Sequence, residues 1–468
     1  QAFQDVLGSA DPVSVTADFF ACGGTSLQVF RVVAKLQSLL DVDGLSPVLV
    51  HEGRTPRAVA AELASGGAGG MAGPRLEAVL WEGSSRPLSQ NQLQMWLLAQ
   101  SGQSASYNMP FAFDVEGTID ISRLQEALNY LCSRHEVLRY LYTTDSEGNV
   151  SGDVISMDDF AVPVRSEDAC DEDALRGLVA AEAAAEFDFG VGPLIRCLVV
   201  AHGWSKAHTL VISIHHAVGD LWSLNIIKSE LSTVYNSLPC KWSDLSLEPM
   251  QLCYADVARW QHEWLSSEAC TEAEEYWKAC LRGAPAVLQV PTDHPRPARP
   301  EYSVGMRNWK LAPSLSGKFE QLARKLGVNQ QAVFMGLVNI LLMKYSSTDD
   351  IVVGMPSAGR DMPGTQDLVG YLINTLPVRT TSSAEDTFGD IISRVSKNVR
   401  LALQHGTLPT AEIVRAADVE RSAGVNPLFQ VLVQYLGDGS DFDEGGDFLF
   451  GDYKAVPSKY MAGLSNAK

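Results

Sequence analysis

Two adjacent histidines, His215 and His216, end the run TLVISIHH, and Asp220 follows four residues after the second. Histidine is the side chain whose ordinary pKa lies near neutrality, so either ring could take or hold a proton. Strand alternation separates the two. Leu210, Ile212, Ile214 and His216 share one side, and Val211, Ser213 and His215 the other. Rings pointing apart cannot share one metal ion, and no Cys/His cluster of zinc spacing appears elsewhere, so no metal site is expected. Acid–base chemistry and a pair of satisfied histidines at a strand end both stay open. A Ser-His-Asp triad fits poorly, because the chain contains no G-x-S-x-G turn.

Ser26 is a second reactive candidate. It follows Gly23 and Gly24 and opens the helical run SLQVFRVVAKLQSLL. A hydroxyl placed there is exposed on a turn that allows close approach to the backbone; the simpler reading is a helix N-cap.

The elements that must position these residues fall into three pieces. Residues 1–64 read as a small helical domain, with TPRAVAAELAS as a further helix capped by Thr55 and led by Pro56. SGGAGGMAGP (65–74) reads as flexible, and the linker is placed at 65–84. Beyond it TLVISIHH and DIVVGMPS read as strands, whereas DISRLQEALNYLCSRH and GKFEQLARKLG read as amphipathic helices. The proline-rich VPTDHPRPARP (290–300) is expected to separate two lobes, taken as 85–280 and 281–468.

A chain of 468 residues is too long for one ordinary core, which agrees with several domains. Its formal charge of −20 disfavours nucleic acid and anionic membrane surfaces as partners, since both reward basic patches. Neither a transmembrane run nor a signal-peptide pattern is visible. The eight cysteines are scattered, with no CxxC pair, and read as small buried hydrophobes of a cytoplasmic protein.

DFFACGGTSLQVFRV (18–32) resembles the phosphopantetheine attachment site of peptidyl carrier proteins, FFxxGG-x-S-[LI]. It departs at Ala21-Cys22 and at Thr25. HHAVGD is similar to the HHxxxD core of the condensation domains of nonribosomal peptide synthetases. Other segments resemble that family's motifs in the same order: PLSQNQLQMWLL, RHEVLRYLY, YADVARWQ, VGMPSAGR, VGYLINTLPVR, HGTLPTAEIV and NPLFQVLVQY, over residues 87–435.

The resemblance implies a small four-helix-bundle carrier domain followed by an α/β condensation domain. The latter would have two chloramphenicol-acetyltransferase-like lobes forming a V. It implies 4′-phosphopantetheine on Ser26, attached by a phosphopantetheinyl transferase, and amide formation from two tethered substrates. His216 would line a tunnel between the lobes as the proton-handling group. His215 would be structural, and Asp220 would pair with Arg360 as scaffold. Arg139 would brace the region. Asn374 is either a polar group near the tunnel or a strand-capping amide, and Trp222 and Ser223 either shape the pocket or pack. Leu221 stands where the family commonly has glycine and points towards a polyketide or fatty-acyl partner. No phosphate-cradling loop appears, so an adenylation domain must act from elsewhere, with a downstream carrier as acceptor. Family members continue past the last motif, and the second lobe is expected to be incomplete.

Three alternatives share parts of this pattern. They are an epimerization domain, a non-catalytic recruitment domain of the same fold, and a stand-alone acyltransferase fed by coenzyme A. The attached carrier argues against the last.

Overall fold

The computed structural model describes residues 1–9, 11–20, 22–24, 26–40, 42, 45, 47–65, 73–102, 104–245, 247–294, 305, 307, 309, 311–419, 425–435 and 448–461. The N-terminal piece is a bundle of four helices, α1 (Ala2–Val6), α2 (Ser26–Leu40), α3 (Val48–Gly53) and α4 (Pro56–Ala64). They close on Phe3, Phe19, Val29, Val32, Val33, Leu49 and Val59. Thr55 caps α4 by accepting the Ala58 N–H at 3.2 Å. A Cβ on Gly24 would lie 2.5 Å from the Phe19 ring, so the turn before Ser26 admits only glycine there. Ser26 opens α2, and its side chain lies outside the described residues.

The glycine-rich stretch 66–72 also lies outside them. From Gly73 onward the expected linker is pinned. Trp260 Nε1 donates to the Pro74 carbonyl at 2.6 Å, and Asp256 accepts from Val79 N and Trp81 Nε1 at 3.1 and 2.9 Å. Flexibility read from glycine content therefore does not extend to residue 84. Apolar and indole side chains after Gly73 find partners on a neighbouring helix.

The first lobe carries two sheets. β1 (Ser85–Arg86), β4 (Val150–Val154) and β3 (Tyr140–Thr144) form a small antiparallel one. The larger runs β10 (Leu449–Phe450), β11 (Tyr453–Pro457), β2 (Asn108–Val115), β7 (His208–His215), β6 (Ile195–His202), β5 (Val164–Ala169), antiparallel except for β5 with β6. Its helices are α5 (Gln90–Gln100), α6 (Ile121–Arg134), α7 (Glu172–Ala184) and α8 (Leu221–Ser237). β7 is central and covered on both faces. Leu210, Ile212 and Ile214 pack with Leu128 of α6 and Leu231 of α8, while Val211 meets Leu175 and Val179 of α7. This double burial explains why apolar residues stand on both faces of TLVISI, interrupted only by the buried Thr209 and Ser213.

The second lobe contains α9 (Tyr254–Leu265), α10 (Glu268–Leu281), α11 (Pro313–Leu326), α12 (Gln330–Ser346), β8 (Asp350–Ser357), β9 (Asn374–Thr381), α13 (Phe388–Gln404) and α14 (Thr410–Ala417). Two boundaries differ from expectation. Trp260, Trp264, Trp277 and Leu281, on α9 and α10, join the core of Met335, Val353 and Leu376, whereas Tyr254 at the start of α9 packs in the first lobe's core, so the second lobe's core is reached by residue 260 rather than at 281. Residues 449–457 return to the first lobe, where β11 pairs with β2, so the second lobe does not run unbroken to residue 468. Residues 295–300 of the proline-rich stretch lie outside the described set. No single described helix is long and apolar enough to cross a membrane.

Candidate active site

β7 delivers the two histidines and stops between them. His215 is its last residue, and His216 opens a short turn to Val218. His215 is fully buried; its Nδ1 accepts the Ala217 N–H at 3.0 Å. Nε2 must then carry the proton, and it faces the Ser104 carbonyl at 3.2 Å. Phe189 packs edge-on, with centroids 4.8 Å apart. Burial, aided by Arg196, pushes its pKa down to about 4. A neutral ring with both nitrogens engaged fastens the strand end.

His216 is oppositely placed. Its ring, 3% exposed, lies against Tyr371 with centroids 4.3 Å apart and planes tilted by 50°. Burial raises the Tyr371 hydroxyl well above its ordinary range, so it stays protonated.

Asp220 caps α8 and ties the lobes together. Oδ1 accepts from Ser223 N at 2.9 Å, Ser223 Oγ at 2.8 Å and Arg360 Nη2 at 3.0 Å, while Oδ2 accepts the Leu372 N–H at 3.1 Å. Arg360 is also fully buried and donates through Nη1 to the carbonyls of Thr365 and Leu368. Burial alone would raise the Asp220 carboxyl, but Arg360, Ser223 and His216 together hold it below the usual carboxylate range. Both Asp220 oxygens are held by fixed partners, and Arg360 is anchored through Nη1 and Nη2 while its buried Nε finds none among the described residues.

Ser223 completes the clamp by bridging to Gly370, whose N–H donates to its oxygen at 3.1 Å. A Cβ on Gly370 would sit 2.0 Å from the Tyr254 ring. Trp222 donates through Nε1 to the Gln366 carbonyl at 2.8 Å, and its ring lies 5.4 Å from the guanidinium carbons of both Arg360 and Arg31 of α2. Asn374 is fully engaged, donating to Gly406 O and Leu408 O and accepting from Thr410. It stands at the first position of β9 and also lines the cavity between bundle and lobes, so both expected placements hold. Arg139 reaches the carbonyls of Cys132 and Ile155 within the first lobe. No described group of three or more His, Cys, Asp or Glu could hold a metal ion.

The helical bundle abuts these elements. Gln37 Nε2 of α2 donates to the Asp361 carbonyl at 2.7 Å, while its Oε1 accepts Leu45 N at 3.3 Å. His51 Nδ1 is 3.3 Å from Asn329 Nδ2, and Arg54, paired with Asp18, reaches the Val328 carbonyl. Between bundle and lobes lies a cavity of about 480 Å³. Phe30, Gln37 and Leu45 form one wall, and Tyr254, Trp260 and Tyr371 another.

The condensation-domain family profile matches residues 84–453, and a phosphopantetheine attachment site matches residues 1–63. The chain belongs to the condensation-domain family. It is a carrier–condensation didomain of the nonribosomal peptide synthetase kind, and Ser26 falls within the carrier match. Malpinin synthetase of Mortierella alpina is 32% identical over 436 residues, 92% of this chain and 6% of the relative. Tyrocidine synthase 3 of Brevibacillus parabrevis is 31% identical over 434 residues, 92% of this chain and 6% of the relative. The chain thus spans a small fraction of these curated relatives. Among solved structures, the X-domain from teicoplanin biosynthesis superposes with a TM-score of 0.70 at 25% identity, covering 77% of this chain and 79% of that one. The condensation domain from the monacolin K polyketide synthase gives 0.63 at 21% identity, covering 81% and 86%.

The condensation-family motifs of the sequence meet in space: His216, Asp220, Arg360 and the segment from Gly370 to Asn374 all lie at the junction of the lobes. Three features were not read from the sequence. They are the contact of Tyr371 with His216, the hydrogen bond from Gln37 to Asp361, and the approach of Arg31 to Trp222. Tyr371 falls inside a motif read only for Asn374, and nothing in the local pattern marks the other two.

Proposed function

We propose that this didomain forms amide bonds from an acyl group tethered to its carrier, and that His216 takes or holds the proton of the attacking amine. Ser26 would hold phosphopantetheine, whose terminal thiol would carry the acyl group as a thioester. The bond formed is the amide and the bond broken is the thioester. The amine proton passes to His216 Nε2 or Nδ1, and the departing sulfur leaves as thiol or thiolate. Aminolysis of a thioester is downhill, so the lobes contribute mainly by holding the reactants in line.

One observation carries the reading. The His216 ring lies 4.3 Å, centroid to centroid, from that of Tyr371, and Tyr371 lines the cavity that meets the carrier. The same cavity supports delivery from the adjoining carrier, since α2 forms part of its wall. Its mixture of Ser89, Asn91 and Gln261 with Phe30 and Trp260 suits an arm that alternates amides with methylenes. The partners implied are a phosphopantetheinyl transferase, an adenylation domain, a downstream aminoacyl carrier and, from Leu221, a polyketide-type donor, all acting in the cytosol.

The test uses the didomain primed by a phosphopantetheinyl transferase, loaded with a simple acyl group and given an aminoacyl-pantetheine. Mass spectrometry should show acceptor-dependent loss of acyl from Ser26 and appearance of the amide. His216→Ala should slow this by ~10²–10⁴-fold, the usual worth of a general base. Equal rates in the variant would remove His216 from the chemistry.

A further inference from the structure

The cavity that meets the carrier does not include His216 among its lining side chains. Tyr371 stands between them, one side of its ring against the imidazole and another in the cavity wall. We propose that Tyr371 is the specificity-determining residue that limits the bulk of the acyl group passing from the carrier-side cavity to His216. The inference rests on the amide-forming reading above.

The backbone around Tyr371 cannot make room. Gly370 N–H donates to Ser223 Oγ at 3.1 Å, the Tyr371 carbonyl accepts from Tyr254 OH at 2.8 Å, Leu372 N–H donates to Asp220 at 3.1 Å, and the Ile373 carbonyl accepts from Asn91 at 3.0 Å. Four consecutive residues are thus held by side chains of α5, α8, α9 and the Asp220 cap. Only the aromatic side chain is left to turn, and rotation about its own torsions is fast compared with any shift of a pinned main chain. The passage is widened by swinging the ring and narrowed by its return against His216. A slender acyl chain slips past a partly turned ring. A branched or aromatic acyl group needs the ring fully displaced, which sacrifices its packing on the imidazole. One methylene more or less in an apolar pocket is worth about 10-fold to 200-fold in relative rate, which sets the scale for discrimination here.

The experiment loads the primed full chain with either an acetyl or a phenylacetyl group on Ser26. It then measures single-turnover amide formation with one aminoacyl-pantetheine acceptor. The quantity read is the phenylacetyl-to-acetyl rate ratio, which divides out any general loss of folding or of His216 basicity. Tyr371→Ala should raise that ratio about 10-fold or more, Tyr371→Trp should lower it, and Tyr371→Phe should leave it within about twofold, because the wall and not the hydroxyl sets the limit. Ratios within about twofold in both the Ala and the Trp variants would overturn the assignment.

If the unaltered chain forms no amide from either donor, the functional reading fails, and the gate is then judged by access alone. Carbethoxylation of His216 by diethyl pyrocarbonate, located by mass spectrometry, should be faster in Tyr371→Ala than in the unaltered chain and slower in Tyr371→Trp. Equal rates in all three would refute a barrier at Tyr371.

Discussion

Replacing Asp220 by asparagine keeps the shape of the side chain and removes its charge from a network that water does not reach. Oδ1 could still face Ser223 and Arg360, but the new amide would turn a donor towards the Leu372 N–H, which now gives its hydrogen to Oδ2 at 3.1 Å. A buried donor left without an acceptor costs about 1–3 kcal/mol. Arg360, at 0% exposure, would meanwhile lose its counter-charge, and breaking a buried pair costs about 3–5 kcal/mol. The two losses share the same atoms, so the sum is bounded by the larger, and Asp220→Asn should destabilise the condensation part by about 3–5 kcal/mol. The assay is equilibrium urea unfolding, reading the midpoint shift at constant slope. A double variant, Asp220→Leu with Arg360→Met, should lose less than the sum of the single variants, because no charge is then stranded. Acid dependence supplies an independent check. The folded carboxyl lies below the unfolded value, so its contribution is present above that unfolded value and is lost as pH falls through the folded one. Asp220→Asn should flatten that acid limb. A variant within about 1 kcal/mol of the original, with an unchanged acid limb, would refute the view that this pair fastens the lobes.

Gln37→Ala removes the hydrogen bond to the Asp361 carbonyl and should loosen the carrier from the lobes; single-turnover transfer from Ser26 should slow by about 5-fold to 10-fold, a bond's worth of ~1 kcal/mol, while turnover of a soluble acyl-pantetheine is unaffected. His51 is held down to about 4 by burial and then by Arg54, so its neutral form is the one that fits. Released or unfolded His51 binds a proton more readily, and the carrier contact should therefore weaken as pH falls from about 6.5 towards 4, followed by small-angle scattering or crosslinking between carrier and lobes. His51→Gln should remove that dependence. Gly24→Ala would force a methyl to 2.5 Å from the Phe19 ring and should lower the melting temperature of the carrier by several degrees without shifting the condensation transition, as followed by calorimetry.

Local pattern carried much of this molecule. The helix of Ser26, the cap at Thr55 and the alternation that parts His215 from His216 all depend on neighbours within a few residues, and the structure repeats them. The apolar alternating run TLVISI also announced a core strand, although not that it would be the centre of a sheet with helices on both faces. The pairing of Asp220 with Arg360 was legible only through resemblance, because 140 residues separate the partners and no period spans them.

Where the lobes divide was decided by packing. The tryptophans of α9 and α10 would satisfy an apolar face on either side, and only the assembled core shows that they belong with β8 and β9. The return of residues 449–457 to the first sheet is likewise a matter of which edge strand lacks a partner. The same holds for Gln37 and Asp361, 324 residues apart, and for Tyr371, whose place against His216 follows from a backbone pinned by side chains of three helices, α5, α8 with its Asp220 cap, and α9. By itself the sequence determined which residues could do chemistry, since side-chain type, caps and periodicity are local properties. Which of them face one another, and what stands between them, was decided by the tertiary structure alone, because contact energies are realised only when distant segments are packed together.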